Sequence, residues 1–273
     1  MNYIKFNKEL LEWVEFNILN NCNKDDIFNI LLNHNYNYDH ICIVMNYYPI
    51  NKSIIIRKYE QLNFKITNNI FTTKQYLDNP KIIPIRNNFL EIYKINNFLN
   101  DDECEYIIDN INNSKVIKSP LTREVDNDKN FRTSLTCYFH SSNKIIKNID
   151  DKICSIMNIP INKGEGLQGQ KYLVGNEFKK HTDYFDKNND EQYLKNGGQR
   201  TWTFMVYLNE VETGGETQFT EINKIFKPEL GMALLWNNLN NNGIENVYSM
   251  HWGMPVITGT KYIITKWFRK NII

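Results

Sequence analysis

The chain has 273 residues, a net charge of +1, 41% hydrophobic residues and 13% aromatic residues. That is enough apolar material for one large domain with an appendage, and it excludes wholesale disorder. The balanced charge excludes a general polyanion binder and disfavours nucleic acid as a partner.

The first third reads as helical. In 7–19 the residues Leu10, Leu11, Trp13, Val14, Phe16 and Ile18 form a broad apolar stripe at near-helical spacing. A second helix starts at Asn23 or Lys24, with Asp25 and Asp26 in its first turn. A third apolar stretch, 41–48, stops at Pro49. Residues 50–82 are mixed, with weak periodicity. The first unit is therefore set at 1–82, a small helical region with a connector, and the second at 83–273.

From Pro84 the texture changes. Residues 88–95 read as a strand. Residues 101–111 (DDECEYIIDNI) read as an amphipathic helix with Leu99-Asn100 as its cap region. Residues 114–132 are polar and hold Pro120, which predicts a loop, and 143–157 are again helical. After Gly164 short β-like runs dominate: 167–174, 201–208, 232–236 and 261–268. Many short strands separated by Gly, Asn or Pro predict an α+β domain built on a jelly roll, or double-stranded β-helix, with supporting helices. Asparagine is over-used throughout, and NNLNNN (237–242) is expected to be a swollen loop.

Five cysteines are widely spaced without a CxxC, so neither a disulfide framework nor a zinc ribbon is supported, and reduced thiols are expected. The opening MNYIKFNKELLEW lacks the apolar stretch of a signal peptide, and no run is long and apolar enough to span a bilayer. A cytoplasmic protein with no membrane partner is the expectation.

The sharpest local signal is FKKHTDYF (178–185). His181 and Asp183 are two metal-capable side chains one residue apart. His251 follows a β-like run (247–250) and precedes Gly253 and Pro255, a place where a strand would close and aim into a barrel mouth. Together the three form the two-His, one-carboxylate face of non-haem Fe(II) oxygenases, which leaves the opposite face of the metal open for a chelating co-substrate and O2. An HxD triplet also arises by chance, so a solvated loop histidine and a hydrogen-bonded core histidine are competing readings.

Further motifs bear on that choice. Tyr172-Leu-Val-Gly175-Asn-Glu-Phe178-Lys-Lys-His181-Thr-Asp183 resembles the YxxGxx(Y/F)xxHxD segment of prolyl 4-hydroxylases, which are Fe(II)- and 2-oxoglutarate-dependent dioxygenases. Arg200 to Asn209 is similar to their RxxTxxxYLN strand and Gly214 to Phe219 to their GGETxF turn. Ser249 to Val256 is similar to SLHxGxPV, Gly259 to Trp267 to GxKW…KW, and Arg132-Thr133-Ser134 to RTS. The resemblance covers about 85–270 and leaves the N-terminal third unmatched.

The resemblance implies roles. His181, Asp183 and His251 would bind iron. Lys261 would pair with the distal carboxylate of 2-oxoglutarate, helped by the hydroxyls of Tyr172 and Thr217. Arg132, Ser134, Glu165, Arg200 and Trp267 would line a peptide groove. The implied reaction turns 2-oxoglutarate and O2 into succinate and CO2 while hydroxylating a prolyl residue of a peptide or protein, Pro-rich or collagen-like, with ascorbate as reductant. The same chemistry on another side chain, a small molecule or a nucleic acid is the alternative; a non-catalytic jelly-roll binding module stands behind both. Four positions depart from the pattern: Phe178 where many members have Tyr, Arg269 where some have His, Tyr262 for the Trp of GxKW, and Trp252 for a small residue. Residues 114–132 and 184–199 are polar and long, and are expected to form mobile cover that orders with substrate.

Overall fold

The computed structural model describes residues 6–49 apart from 35, residues 51 and 54, and residues 82–273 apart from 86, 88, 121–129, 140–141, 187–189 and 241. The connector expected at 50–82 falls almost wholly outside these residues, as do His140 and the middle of 114–132. The chain divides into two compact units, Met1–Asn79 and Pro80–Ile273.

The first unit holds three helices: α1 (Lys8–Leu19), α2 (Lys24–Asn33) and α3 (Tyr38–Met45). Asparagine starts and stops them. Asn7 caps α1 by accepting from the Leu10 amide, and Asn23 caps α2 by accepting from the Asp25 amide. Asn46, with φ of 42°, follows the last turn of α3 in the left-handed region that asparagine tolerates best after glycine. The apolar stripes meet in one core containing Val14, Phe28, Leu31, Ile41 and Met45. Among the described residues no helix is long and apolar enough to cross a membrane.

The second unit is a jelly roll. An eight-stranded antiparallel sheet runs in the order β1 (Ile82–Pro84), β2 (Ile92–Ile95), β11 (Ala233–Asn237), β7 (Arg200–Tyr207), β14 (Lys261–Arg269), β5 (Gln168–Tyr172), β4 (Leu135–Tyr138) and β3 (Ile117–Lys118). A smaller sheet runs β10 (Lys224–Phe226), β9 (Thr217–Phe219), β12 (His251–Gly253) and β6 (Phe178–His181), and β8 (Thr213–Gly214) pairs with β13 (Val256–Thr258). The barrel core joins the sheets: Tyr172, Met205, Tyr207, Leu234, Trp236 and Ile263 from the large one meet Phe219 and Val256.

The other face of the large sheet is covered by α4 (Asp101–Asn113) and α5 (Lys144–Met157). Asn100 and Glu103 form a reciprocal capping box on α4, and Asn143 caps α5. A Cβ on Gly169 of β5 would lie 2.7 Å from Ile111 Cδ1, so α4 presses directly on that strand. Because β7 is buried on both faces, its second half, FMVY, is continuously apolar rather than alternating. The Gly-Gly of the β8–β9 turn is required sterically. Gly214 has φ of 81°, and a Cβ there would lie 2.3 Å from the Pro255 carbonyl oxygen.

Three predicted elements are corrected. The strand expected at 88–95 covers only Ile92–Ile95, because Asn87 folds the preceding residues into a turn by accepting from the Phe89 and Leu90 amides. The run 247–250 is a 3-10 turn capped by Asn246, so His251 opens a strand instead of closing one. The loop 114–132 contains the short edge strand β3.

Candidate active site

The antiparallel register of β6 and β12 places His181 opposite His251. Asp183 follows two residues after His181, just past the end of β6. His181 Nε2 lies 3.8 Å from Asp183 Oδ1, and His251 Nε2 lies 3.9 Å from Asp183 Oδ2. His181 Nδ1 sits 2.7 Å from the Lys179 carbonyl oxygen, and His251 Nδ1 sits 2.9 Å from that of Ser249. A carbonyl can only accept, so each imidazole carries a proton on Nδ1 and turns its Nε2 toward Asp183.

Electrostatics agree with this donor set. Burial, reinforced by the neighbouring His251, holds the His181 imidazole well below its ordinary pKa, so it is neutral at physiological pH. Burial pushes the Asp183 carboxyl up, but His251, His181, Arg200 and the Thr203 hydrogen bond outweigh it and leave the pKa below its ordinary value. Two imidazoles and one ionised carboxylate converging in a buried pocket are a fit for Fe(II).

These three side chains stand in a cleft of about 430 Å³, part of it open to solvent. At its other wall Lys261, the first residue of β14, is buried with 1% of its surface exposed. Its ammonium lies 5.1 Å from the Tyr172 ring centre and 5.4 Å from that of Tyr207. Among the described residues it has no hydrogen-bond acceptor and no salt-bridging carboxylate. Burial pushes its pKa down to about 7, against the pull of Glu216. Thr217 also lines the cleft, and its Oγ1 accepts from Tyr207 Oη at 2.6 Å. Because Thr217 accepts from Tyr207, its own hydroxyl proton is left to donate, and a buried cation beside an O–H donor is a cradle for a carboxylate.

The sequence model of the 2OG-Fe(II) oxygenase superfamily matches residues 167–269, which span β5 to β14. A protein of Acanthamoeba polyphaga mimivirus with the provisional name prolyl 4-hydroxylase is 34% identical over 182 residues, 66% of this chain and 74% of that one. The chain belongs to the prolyl 4-hydroxylase-like 2OG-Fe(II) oxygenases. Prolyl 4-hydroxylase 5 of Arabidopsis thaliana is 34% identical over 195 residues, 63% of this chain and 66% of that one. The crystal structure of the viral collagen prolyl hydroxylase of Paramecium Bursaria Chlorella virus-1, in complex with 2OG, is 26% identical. It superposes with a TM-score of 0.51 over 65% of this chain and 95% of that one. This oxygenase is thus a 2-oxoglutarate-dependent dioxygenase using Fe(II), 2-oxoglutarate and O2.

The residues expected in a peptide groove separate into three groups. Arg132 and Trp267 line the cleft of the oxygenase. The Arg132 guanidinium lies 4.5 Å from the Phe178 ring centre, and that ring stacks on His181 at 3.4 Å. Arg132 has an isolated bridge to Phe178, so the RTS segment runs along the edge of β6. Ser134 is fully buried behind Arg132. It accepts from Arg132 Nε at 3.3 Å and is hydrogen-bonded to the Ser119 hydroxyl, and it lies off the cleft wall.

Glu165 and Arg200 form the third group. Arg200 Nε and Nη2 each donate to a Glu165 oxygen at 2.6 Å, a two-pronged pair. The Arg200 guanidinium lies 4.1 Å from the Trp267 ring centre and 4.7 Å from that of Phe185. Glu165 also accepts from Arg269 Nη1 at 3.0 Å. Arg269, noted in the sequence only as a departure, donates to the carbonyls of Tyr193, Asn196 and Gly198. It fastens the end of the segment 184–199, which contains a short helical turn, Glu191–Leu194, to the barrel; residues 187–189 lie outside the described set.

Sequence reasoning left Thr203, Tyr207, Asn238 and Arg269 without roles. Thr203 and Tyr207 stand inside the matched strand motif, which was the available signal. Asn238 sits in the run taken for a swollen loop, and its carboxamide reaches the metal-site hydrogen bonds across 35 residues of chain.

Proposed function

We propose that this oxygenase hydroxylates prolyl residues in a peptide or protein, releasing succinate and CO2. The observation that carries the reading is the pairing of the His181–Asp183–His251 cluster with the partnerless buried ammonium of Lys261 in the same cleft. His181 Nε2, His251 Nε2 and the Asp183 carboxylate would hold Fe(II). Lys261, with the hydroxyls of Thr217 and Tyr172, would hold the distal carboxylate of 2-oxoglutarate. When bound, the metal and co-substrate supply the oxidising equivalents for inserting one oxygen atom from O2 into a C–H bond.

The chain's own residues bind, orient and exclude water. Phe178 caps the His181 ring and carries Arg132 on its other face, which fixes both near the cleft mouth. Trp236 packs at 4.9 Å against His251 and closes the cleft floor with an apolar surface. Trp267 and Arg200 offer a stacked aromatic and cationic surface, which suits a proline ring and peptide carbonyls. The names of the relatives above support a prolyl peptide as substrate, and a Pro-rich or collagen-like sequence is the proposed form. Phe178 provides no hydroxyl, so peptide recognition rests on Arg132, Arg200 and Trp267.

The test is direct. Protein loaded with Fe(II) is incubated with 2-oxoglutarate, ascorbate and Pro-rich peptides, and succinate and peptide mass are followed. The expected result is succinate release coupled to the gain of one oxygen atom on proline. Succinate release with no peptide modification would move the substrate to another side chain, a small molecule or a nucleic acid. Failure to bind metal would refute the reading.

A further inference from the structure

The carboxylate of the proposed metal site is held by a chain of hydrogen bonds that leads away from the cleft. Thr203 Oγ1 donates to Asp183 Oδ2 at 2.7 Å, and Asn238 Nδ2 donates to Thr203 Oγ1 at 2.9 Å. The polarity of this chain is forced. An ionised carboxylate only accepts, so the single hydroxyl proton of Thr203 must point at Asp183. Thr203 is then an acceptor toward Asn238, which settles which end of the Asn238 carboxamide faces it.

Asn238 is fully buried, and its Oδ1 has no hydrogen-bond partner among the described residues. A buried amide with one stranded end is unfavourable for folding, and its other end is spent on Thr203. The backbone of Asn238 is tied in as well. Its amide donates to the Thr201 carbonyl at 2.8 Å, and its carbonyl accepts from the Asn246 amide at 3.0 Å. Asn246 caps the turn that ends in Ser249, whose carbonyl faces His251 Nδ1. One residue thus stands between the strand that steadies Asp183 and the turn that aims His251.

We propose that Asn238 is a positioning residue of the metal centre. Through Thr203 it occupies Oδ2 of Asp183 and leaves Oδ1 as the oxygen without a hydrogen bond from the described residues. This rests on the reading of His181, Asp183 and His251 as the metal ligands. Asn238 touches neither substrate nor the reacting atoms; it acts on the carboxylate at one remove.

The experiment measures Co(II) affinity of the full chain by calorimetry, with visible absorption as a second signal. The variants are Asn238→Ala, Asn238→Asp, Thr203→Val and the Thr203→Val/Asn238→Ala pair, with His181→Ala as control. Asn238→Ala is expected to weaken Co(II) binding by about 10- to 100-fold. In the Thr203→Val background the same change is expected to have no further effect on affinity, because the relay is already cut; a merely structural asparagine would give additive losses. Asn238→Asp keeps the size of the side chain and replaces the donor by an acceptor. It serves where the alanine variant does not fold, and its Co(II) binding is expected to weaken at least as much. Wild-type Co(II) affinity in either folded Asn238 variant, or additivity with Thr203→Val, overturns the proposal. A wild-type chain that does not bind Co(II), or a His181→Ala variant that binds it normally, overturns the metal-site reading itself, and this proposal with it.

Discussion

Replacing Lys261 with methionine is expected to stabilise the protein while abolishing its use of 2-oxoglutarate. The ammonium is 1% exposed and has no anionic partner among the described residues, and burial lowers its pKa from 10.5 to about 7. At about 1.4 kcal/mol per pKa unit, keeping the charged form in the ligand-free pocket costs on the order of 5 kcal/mol relative to the unfolded chain. Local relaxation and water entry reduce this, so Lys261→Met is expected to gain about 1–3 kcal/mol at pH 6.5. The sign of the pH dependence follows from proton counts. Between pH 7 and 10.5 the unfolded lysine holds a proton that the folded one has released, so wild-type stability rises with pH across that window. The cost is fully present below pH 7 and fades toward pH 10.5, so the advantage of the variant is expected to shrink as pH rises. The assay is urea unfolding of metal-free protein at about pH 6.5, 8 and 9.5, followed by tryptophan fluorescence; four of the five tryptophans, all but Trp13, lie in the barrel unit. With metal present, 2-oxoglutarate is expected to raise the wild-type midpoint and leave that of the variant unchanged. A variant less stable than wild type at pH 6.5, or a gap that does not change with pH, would refute the reasoning.

Asp183→Ala and His251→Ala are each expected to weaken Co(II) binding by more than about 100-fold, since each removes a proposed ligand and not merely its support. Chelation of wild-type protein is expected to stop succinate formation, and added Fe(II) to restore it. Arg269→Ala frees the carbonyls of Tyr193, Asn196 and Gly198, so trypsin cleavage after the exposed Lys195 is expected to accelerate about tenfold with 2-oxoglutarate affinity unchanged; equal cleavage rates would show that the segment is held by other contacts. Arg200→Lys keeps the charge but loses the two-pronged bond to Glu165, so peptide KM is expected to rise about tenfold while KM for 2-oxoglutarate stays within about twofold. A parallel rise in both constants would place Arg200 at the co-substrate instead.

The chemistry was legible because it depends on chain order. His181 and Asp183 must be two apart to turn toward one point from the end of a single strand, and Lys261 must open a strand to put its ammonium inside the barrel. Those constraints leave fixed spacings. The strands that carry the histidines were not legible as strands. FKKH has no apolar alternation, and HWG is too short to show any; each is ordered by its neighbours in a four-stranded sheet. The run before His251 misled in the opposite direction. Val247 and Tyr248 have strong β propensity, yet Asn246 accepts from the Tyr248 amide and bends the backbone into a 3-10 turn. That turn brings the Ser249 carbonyl against His251 Nδ1, so the local departure from propensity is what orients the distal imidazole.

Asparagine was the hardest residue to interpret. In a chain this rich in it, any one asparagine carries little information, and runs such as 237–242 look like loop filler. In the fold the asparagines divide by what their short amide can reach. Asn7, Asn23, Asn100 and Asn143 start helices, and Asn21, Asn46, Asn97, Asn158 and Asn223 take up positive φ. Asn237 binds the half-buried Glu91 carboxylate, whose pKa desolvation raises to about 7, with its Nδ2 at 3.0 Å. Asn238 points the other way and reaches Thr203. Asn237 is the last residue of β11 and Asn238 follows it, and their side chains diverge, so one binds the residue before β2 and its neighbour reaches Thr203, which donates to the Asp183 carboxylate. The two are indistinguishable as letters, and only the direction of the side chain separates the asparagine that binds Glu91 from the one that binds Thr203.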